Sequence, residues 1–171
     1  LEIGTGSGYG IEIISPVADE FVTVDKFETS ALEKIKGHDN VKFIQMNIPP
    51  LIGLEDNSFD FVISFQVIEH IKKDHEFVKE IHRVLKPGGI LLTLTPDWEV
   101  NYKKFYDDFT HCSPFTKYSL ESILTFSGFE KIDVFKFRQL PIVWKYPALN
   151  IICYLVSPFI PIRSQNKLFR W

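Results

Sequence analysis

The first ten residues constrain this chain more than any other stretch. Leu1-Glu2-Ile3 reads as the end of a buried strand, and it runs straight into glycine at every second position: Gly4, Gly6, Gly8 and Gly10. Glycine carries no Cβ, so the backbone can turn tightly and a bound group can lie directly against it. The helix expected from about Ile11 to Ile14 would present its N-terminal amides at that loop, a place that favours a carboxylate or another anion. The chain opens inside this unit with no signal-peptide pattern ahead of it. The organisation therefore predicts further chain before Leu1, and the sequence reads as a fragment.

The rest of the pattern alternates strands with helices. Residues 21–25 form a compact β-type run ending in the acid Asp25, and residues 41–46 alternate apolar and polar. Ser30 with Glu33 three residues on predicts a capping box, for a helix that stops at Gly37. Residues 59–67 are largely apolar, as a central parallel strand requires. Asp74 predicts the cap of a helix whose Phe77, Val78, Ile81, Val84 and Leu85 share one face, ended by Lys86-Pro87-Gly88-Gly89. A fifth strand over 90–95, a helix over 116–126 and an alternating sixth strand over 129–137 complete the series. Such alternation predicts an α/β fold, a doubly wound, mostly parallel sheet that binds ligands where its strand order reverses.

Composition narrows the function classes. At 171 residues, with 45% hydrophobic and 24% charged residues, the chain fits one domain with a real core. A formal net charge of -3 gives no electrostatic footprint for nucleic acid, so no nucleic-acid partner is expected. Cys112 and Cys153 stand far apart without metal-type spacing, which points to a reducing, cytoplasmic compartment rather than a disulfide framework.

A nicotinamide dinucleotide fingerprint needs glycine or alanine three residues after its second glycine. Counting from either glycine pair, that position holds Tyr9 or Ile11, both bulky, so this reading loses ground. The loop Glu2 to Gly8 instead resembles the cofactor loop of class I S-adenosylmethionine-dependent methyltransferases. Asp56 to Asp60, Val67-Ile68-Glu69-His70-Ile71 and Leu85 to Leu91 are similar to that family's fourth-strand and fifth-strand segments. The similarity runs to about Phe137 and is nearest to the ubiquinone- and glycan-type small-molecule methyltransferases.

That resemblance implies S-adenosyl-L-methionine as cofactor and a small-molecule, sugar or lipid-linked acceptor. It implies that Glu2 holds the amino group of the methionine moiety, that Gly4, Thr5, Gly6 and Gly8 line the cofactor, and that Asp25 binds its ribose. Asn47, where the family usually has aspartate, and Ile48 would face the adenine, while Phe65 and Gln66 would lie beside the sulfonium. A scaffold that binds the cofactor without transferring its methyl group is the rival class.

Two histidines compete for a chemical role. His70 could act as a general base, or Glu69-His70 could simply start a helix and orient the loop beneath the cofactor. His111 lies in Tyr106-Asp107-Asp108-Phe109-Thr110-His111, a cluster resembling the substrate loops of sugar- and lipid-modifying relatives. There Tyr106, Asp107 and Thr110 would meet substrate and His111 would take a proton. The alternative is a turn that satisfies its own backbone. No metal set is expected, since one histidine beside Asp107 and Asp108 makes no ligand spacing.

Residues 1–138 are read as the cofactor-binding domain and 139–171 as an apolar extension. No charge occurs over 146–162, but Pro147, Pro158 and Pro161 interrupt the run. A membrane span needs about twenty apolar residues. The extension therefore completes the sheet, covers the active site, or meets a membrane surface through 144–171, with Trp144, Lys145, Tyr146, Arg163, Arg170 and Trp171 as flanks.

Overall fold

A computed structural model describes residues 1–28, 30–136, 138, 141–156 and 159. Five parallel strands form the sheet: β1 (Glu2–Ile3), β2 (Phe21–Asp25), β3 (Val41–Gln45), β4 (Phe59–Phe65) and β5 (Leu85–Leu94), in the order β3-β2-β1-β4-β5. The chain winds outward from β1 to β3, then returns to place β4 on the other side of β1. The reversal falls between β1 and β4, where Ile3 pairs with Ser64. Open parallel sheets bind ligands beyond their carboxyl ends at such a point.

Alternation along the strands sorts side chains to two faces. Ile3, Val22, Val24, Val62 and Leu91 point into the main core. There they meet α3 (Asp74–Val84) through Phe77, Val78, Ile81 and Val84, and α5 (Lys117–Phe126) through Leu120 and Leu124. Full burial of a side chain such as Phe77 is worth roughly 1.5–3 kcal/mol, so the apolar stripe of α3 fixes it on the sheet. Phe21 points to the opposite face. It packs with Ile11 of α1 (Tyr9–Ile14) and with Ala31, which precedes α2 (Leu32–Ile35).

Several local expectations give way to packing. Ser30 does not cap α2; its carbonyl accepts from the Glu33 amide at 3.3 Å, and Glu33 pairs with Lys36 at 2.9 Å. Ala31, fully buried against Gly8, sets the start of this helix instead. Lys73 rather than Asp74 occupies the cap of α3, and Asp74 sits in the first turn, where the helix dipole favours an acid. β5 begins at Leu85, directly after α3, and Lys86 to Gly89 bulge out between the Phe59–Leu85 and Phe61–Ile90 pairs.

The expected sixth strand does not form among the described residues. Ile132 and Val134 pack on the main core, but 129–136 pairs with no strand. Its alternation reports one buried face, which does not require a hydrogen-bonded neighbour. Phe137, the last residue of that expectation, lies outside the described residues.

After β5 the chain forms α4 (Trp98–Asn101), the turn Phe105–Asp107 and α5, then α6 (Pro141–Lys145) and α7 (Leu149–Val156). No described helix is long and apolar enough to cross a membrane. Arg163, Arg170 and Trp171 of the expected surface contact lie outside the described residues.

Candidate active site

The glycine loop leaves β1 at the reversal point. Gly4 lies against Val67, since a Cβ there would come within 2.6 Å of Val67 Cγ2. Gly8 caps α1 in the left-handed region, φ 78°, with Ala31 closing the space beside it. Gly6 differs: it is left-handed too, φ 50°, but no atom lies within 4 Å of where its Cβ would stand. Its backbone is thus bare to the crevice, a cradle that any side chain would fill.

Asp25 stands at the tip of β2 and closes the loop from below. Its Oδ2 accepts from the Gly6 amide at 3.1 Å and its Oδ1 from the Phe27 amide at 3.1 Å. Each carboxylate oxygen offers two lone pairs, so both keep capacity for a diol beside Gly6. Beneath the loop, Thr5 Oγ1 donates to Thr23 Oγ1 at 2.7 Å, and Thr23 donates on to Glu2 Oε2 at 2.7 Å. Glu2 is buried, with α1 drawn so close that a Cβ on Gly10 would lie 1.9 Å from Oε1. Burial pushes the Glu2 carboxyl above the ordinary range, against the opposing Thr23 hydroxyl.

The other residues assigned to the cofactor spread around the sheet edge. Asn47 is exposed beyond β3, while Ile48 is half-buried against the main core. Gln66 takes a left-handed conformation, φ 56°, and its amide donates to Leu94 at 2.8 Å, which turns the chain sharply off β4. Phe65 lines a broad concavity of about 1000 Å³ along β5, together with Leu94, Thr95 and Ile132. That concavity is not the glycine-loop crevice; it follows the open edge of the sheet.

A second cluster of candidate residues comes from the segments after β4 and β5. Glu69 and His70 lie in the short turn Ile68–His70. The Glu69 carbonyl accepts from the amides of Cys112 and Ser113 at 2.8 and 3.0 Å, and Ser113 Oγ donates to the Ile71 carbonyl at 2.8 Å. These bonds clamp the 105–113 loop onto the turn and bring His70 and His111 to 4.7 Å between ring centres. His111 Nδ1 donates to the Phe105 carbonyl at 2.7 Å, which in the neutral ring leaves the lone pair on Nε2, 3.9 Å from Asp108 Oδ2. Thr110 Oγ1 lies 2.9 Å from His70 Nδ1.

Asp108 also joins this cluster. It accepts from the Thr110 amide and hydroxyl at 2.9 and 2.5 Å, bonds that hold its carboxyl below the usual range. Tyr106 is exposed and packs edge-on against Trp98 and Phe105. Glu69, read from the sequence only as starting a helix with His70, is a further member of the cluster. It is fully inaccessible, burial raises its carboxyl, and Thr95 Oγ1 donates to its Oε2 at 3.2 Å. One signal was available: Glu69 and Thr95 each follow the end of a strand, and β4 and β5 run side by side and parallel, which brings the two together.

A glycine cradle beside an acid at a strand tip, at the reversal point of a parallel sheet, is the arrangement of nucleoside-cofactor-binding α/β proteins. Residues 1–93, more than half of the 171-residue chain, match the family described as methyltransferase domain, and the chain belongs to that family. A probable S-adenosylmethionine-dependent methyltransferase of Mycobacterium tuberculosis is 40% identical over 97 residues, covering 57% of this chain and 35% of the relative. One from Mycolicibacterium smegmatis is 35% identical over 138 residues, covering 78% and 52%. The chain thus spans between about a third and a half of these curated relatives. Among solved structures, a putative methyltransferase from Bacillus halodurans superposes with a TM-score of 0.68 at 26% identity, over 77% of this chain and 62% of that one. A [4+2]-cyclase shares the fold alone, with a TM-score of 0.60 at 21% identity over 77% and 50%.

Proposed function

We propose that the protein transfers a methyl group from S-adenosyl-L-methionine to a small-molecule, sugar or lipid-linked acceptor. The observation that carries this reading is the bare Gly6 backbone beside the Asp25 carboxylate, at the reversal of strand order. When bound, the cofactor supplies a methyl group already activated on a sulfonium. Asp25 would hold the ribose hydroxyls, and Gly4, Thr5, Gly6 and Gly8 would form the floor beneath it. Glu2, buried and bonded to Thr23, would set the polarity beneath that floor and face the amino group. Asn47 and Ile48 would border the adenine, with Phe65 and Gln66 on the far side of the crevice.

The 105–113 loop would receive the acceptor. Tyr106 offers an exposed ring, and His111 Nε2 carries the lone pair a proton acceptor needs. With the methyl group activated in advance, the chain contributes mainly position, which can be worth roughly 7–11 kcal/mol. The exposed apolar side chains of α7, Ile151, Ile152 and Leu155, support a contact with a membrane surface, which would suit a lipid-linked acceptor. Both cysteines are free, in keeping with a reducing compartment.

A ligand that binds only the folded state raises its melting temperature. S-adenosylhomocysteine should therefore stabilise the protein against heat and NAD should not; the reverse result would sink the reading. Binding without methyl transfer to any acceptor would favour a scaffold instead, since one fold can host different functions.

A further inference from the structure

Glu69 poses a problem that the methyl-transfer reading does not solve. Its side chain is fully buried, yet Oε1 has no hydrogen-bond partner among the described residues. A buried carboxylate oxygen left bare is costly and calls for a missing partner. His70 and His111 lie beside it, and the candidate ligand atoms of all three residues fall within 4.8 Å of one another.

The hydrogen bonds around the cluster fix both imidazoles in one form. The Phe105 carbonyl can only accept, so His111 carries its proton on Nδ1. The Thr110 hydroxyl has a single proton, and the Asp108 carboxylate, ionised at neutral pH, takes it at 2.5 Å. Thr110 Oγ1 must then accept from His70, which places that proton on Nδ1 as well. Each ring keeps its lone pair on Nε2, and each is oriented by an outer partner on the opposite nitrogen. Metal-binding histidines are held in this way, with the second N–H given to a carbonyl, carboxylate or similar acceptor.

We propose that Glu69, His70 and His111 bind a divalent first-row transition-metal ion such as zinc, iron or manganese, with the remaining coordination positions open to an oxygen of the acceptor. Two histidines and one carboxylate form a three-ligand set that leaves room for water or substrate. Three ligands about 2.1 Å from a common ion stand roughly 3.0–3.6 Å apart, so binding must draw together ligand atoms that now lie within 4.8 Å of one another. Glu69 Oε1 gains its missing partner, while Thr95 already steadies Oε2. The oxygen ligand rests on the methyl-transfer reading; the ion itself does not. In the loaded protein His111 is a ligand, and its lone pair no longer accepts a proton.

The test titrates the chelator-stripped full chain with Co2+ alone, followed by visible absorption, and then displaces it with Zn2+. One equivalent should bind, with the bands of a nitrogen- and oxygen-ligated ion. Thr110→Val should weaken binding about 10–100-fold, since it removes only the outer partner of His70, and His70→Ala and His111→Ala should each weaken it more than that. No saturable Co2+ binding by the wild type, or equal affinity in all the variants, overturns the proposal. Should an alanine variant fail to fold, His70→Gln and Thr110→Val decide, and unchanged affinity in both overturns it. S-adenosylhomocysteine binding by the same samples separates the two readings. Nucleotide binding without Co2+ binding removes the metal site alone. Co2+ binding without nucleotide binding removes the methyl-transfer reading and leaves the metal site standing.

Discussion

At the scale of the residue, the site depends on carboxylates with different surroundings. Asp25 is partly open and holds two backbone amides, with lone pairs to spare for a ligand. Asp25→Ala should weaken S-adenosylhomocysteine binding by about 1.5–3 kcal/mol, the usual worth of a charged hydrogen bond. Calorimetry showing unchanged affinity would reduce Asp25 to a loop support. Glu2 is the opposite case, since burial raises its carboxyl. The folded chain then binds a proton more readily than the unfolded one. Stability from Glu2 is full below the ordinary glutamate range, about pH 4.3, and is lost as pH rises through the higher folded value. Glu2→Gln cannot titrate, so relative to wild type its urea midpoint should improve from about pH 4 to about pH 8. A constant difference would mean that the carboxylate is solvated after all.

Single elements carry the loops that bring these residues together. α5 follows the 105–113 loop, and its start is fixed by Thr116, which accepts from the Ser119 amide while Ser119 returns a bond to the Thr116 amide. Thr116→Ala should cost about 0.5–2 kcal/mol in chemical denaturation. Nucleotide affinity should stay the same, because the glycine loop hangs from β1 and not from α5. A loss of affinity in parallel with stability would show that the two halves of the site are not independent. α3 is tied at its other end: Arg83 bonds Glu80, Asp56 and the carbonyls of Leu51 and Leu54. The chain between β3 and β4 is thereby held against the helix that the sheet buries.

For the whole molecule, the distinctive feature among the described residues is uneven cover over the sheet. α1 and α2 lie over the β1–β3 side of one face, but on the same face Phe61, Phe65, Ile90 and Leu92 of β4 and β5 remain about half exposed. Parallel sheets are normally covered on both faces. β5 is also the edge of the sheet, flanked by the concavity that the expected sixth strand would have narrowed. The apolar side chains of α7 add a second exposed area. If α7 meets a membrane surface, Ile151→Glu should reduce co-sedimentation with anionic lipid vesicles several-fold and leave S-adenosylhomocysteine binding intact. Equal co-sedimentation of variant and wild type would assign α7 to packing.

Much of this was legible in the sequence because it depends on neighbours along the chain. The residues of β2 follow from a continuous apolar run, the stripe of α3 from its period, and the glycine loop from the absence of Cβ atoms where backbone must approach. Alternating strands and helices predict the doubly wound sheet, while its strand order, and so the reversal between β1 and β4, comes from the pairing. Tertiary structure alone decided what spacing cannot encode. It moved the start of α2 from Ser30 to the buried Ala31, and left 129–136 packed but unpaired. It brought Asp108 to Thr110 beside the histidine cluster. It also joined Glu69 and His70 to His111, because β4 and β5 lie side by side and the Glu69 carbonyl captures the returning loop. Local pattern fixes which face a residue shows; only the closed sheet fixes which distant residue it meets there.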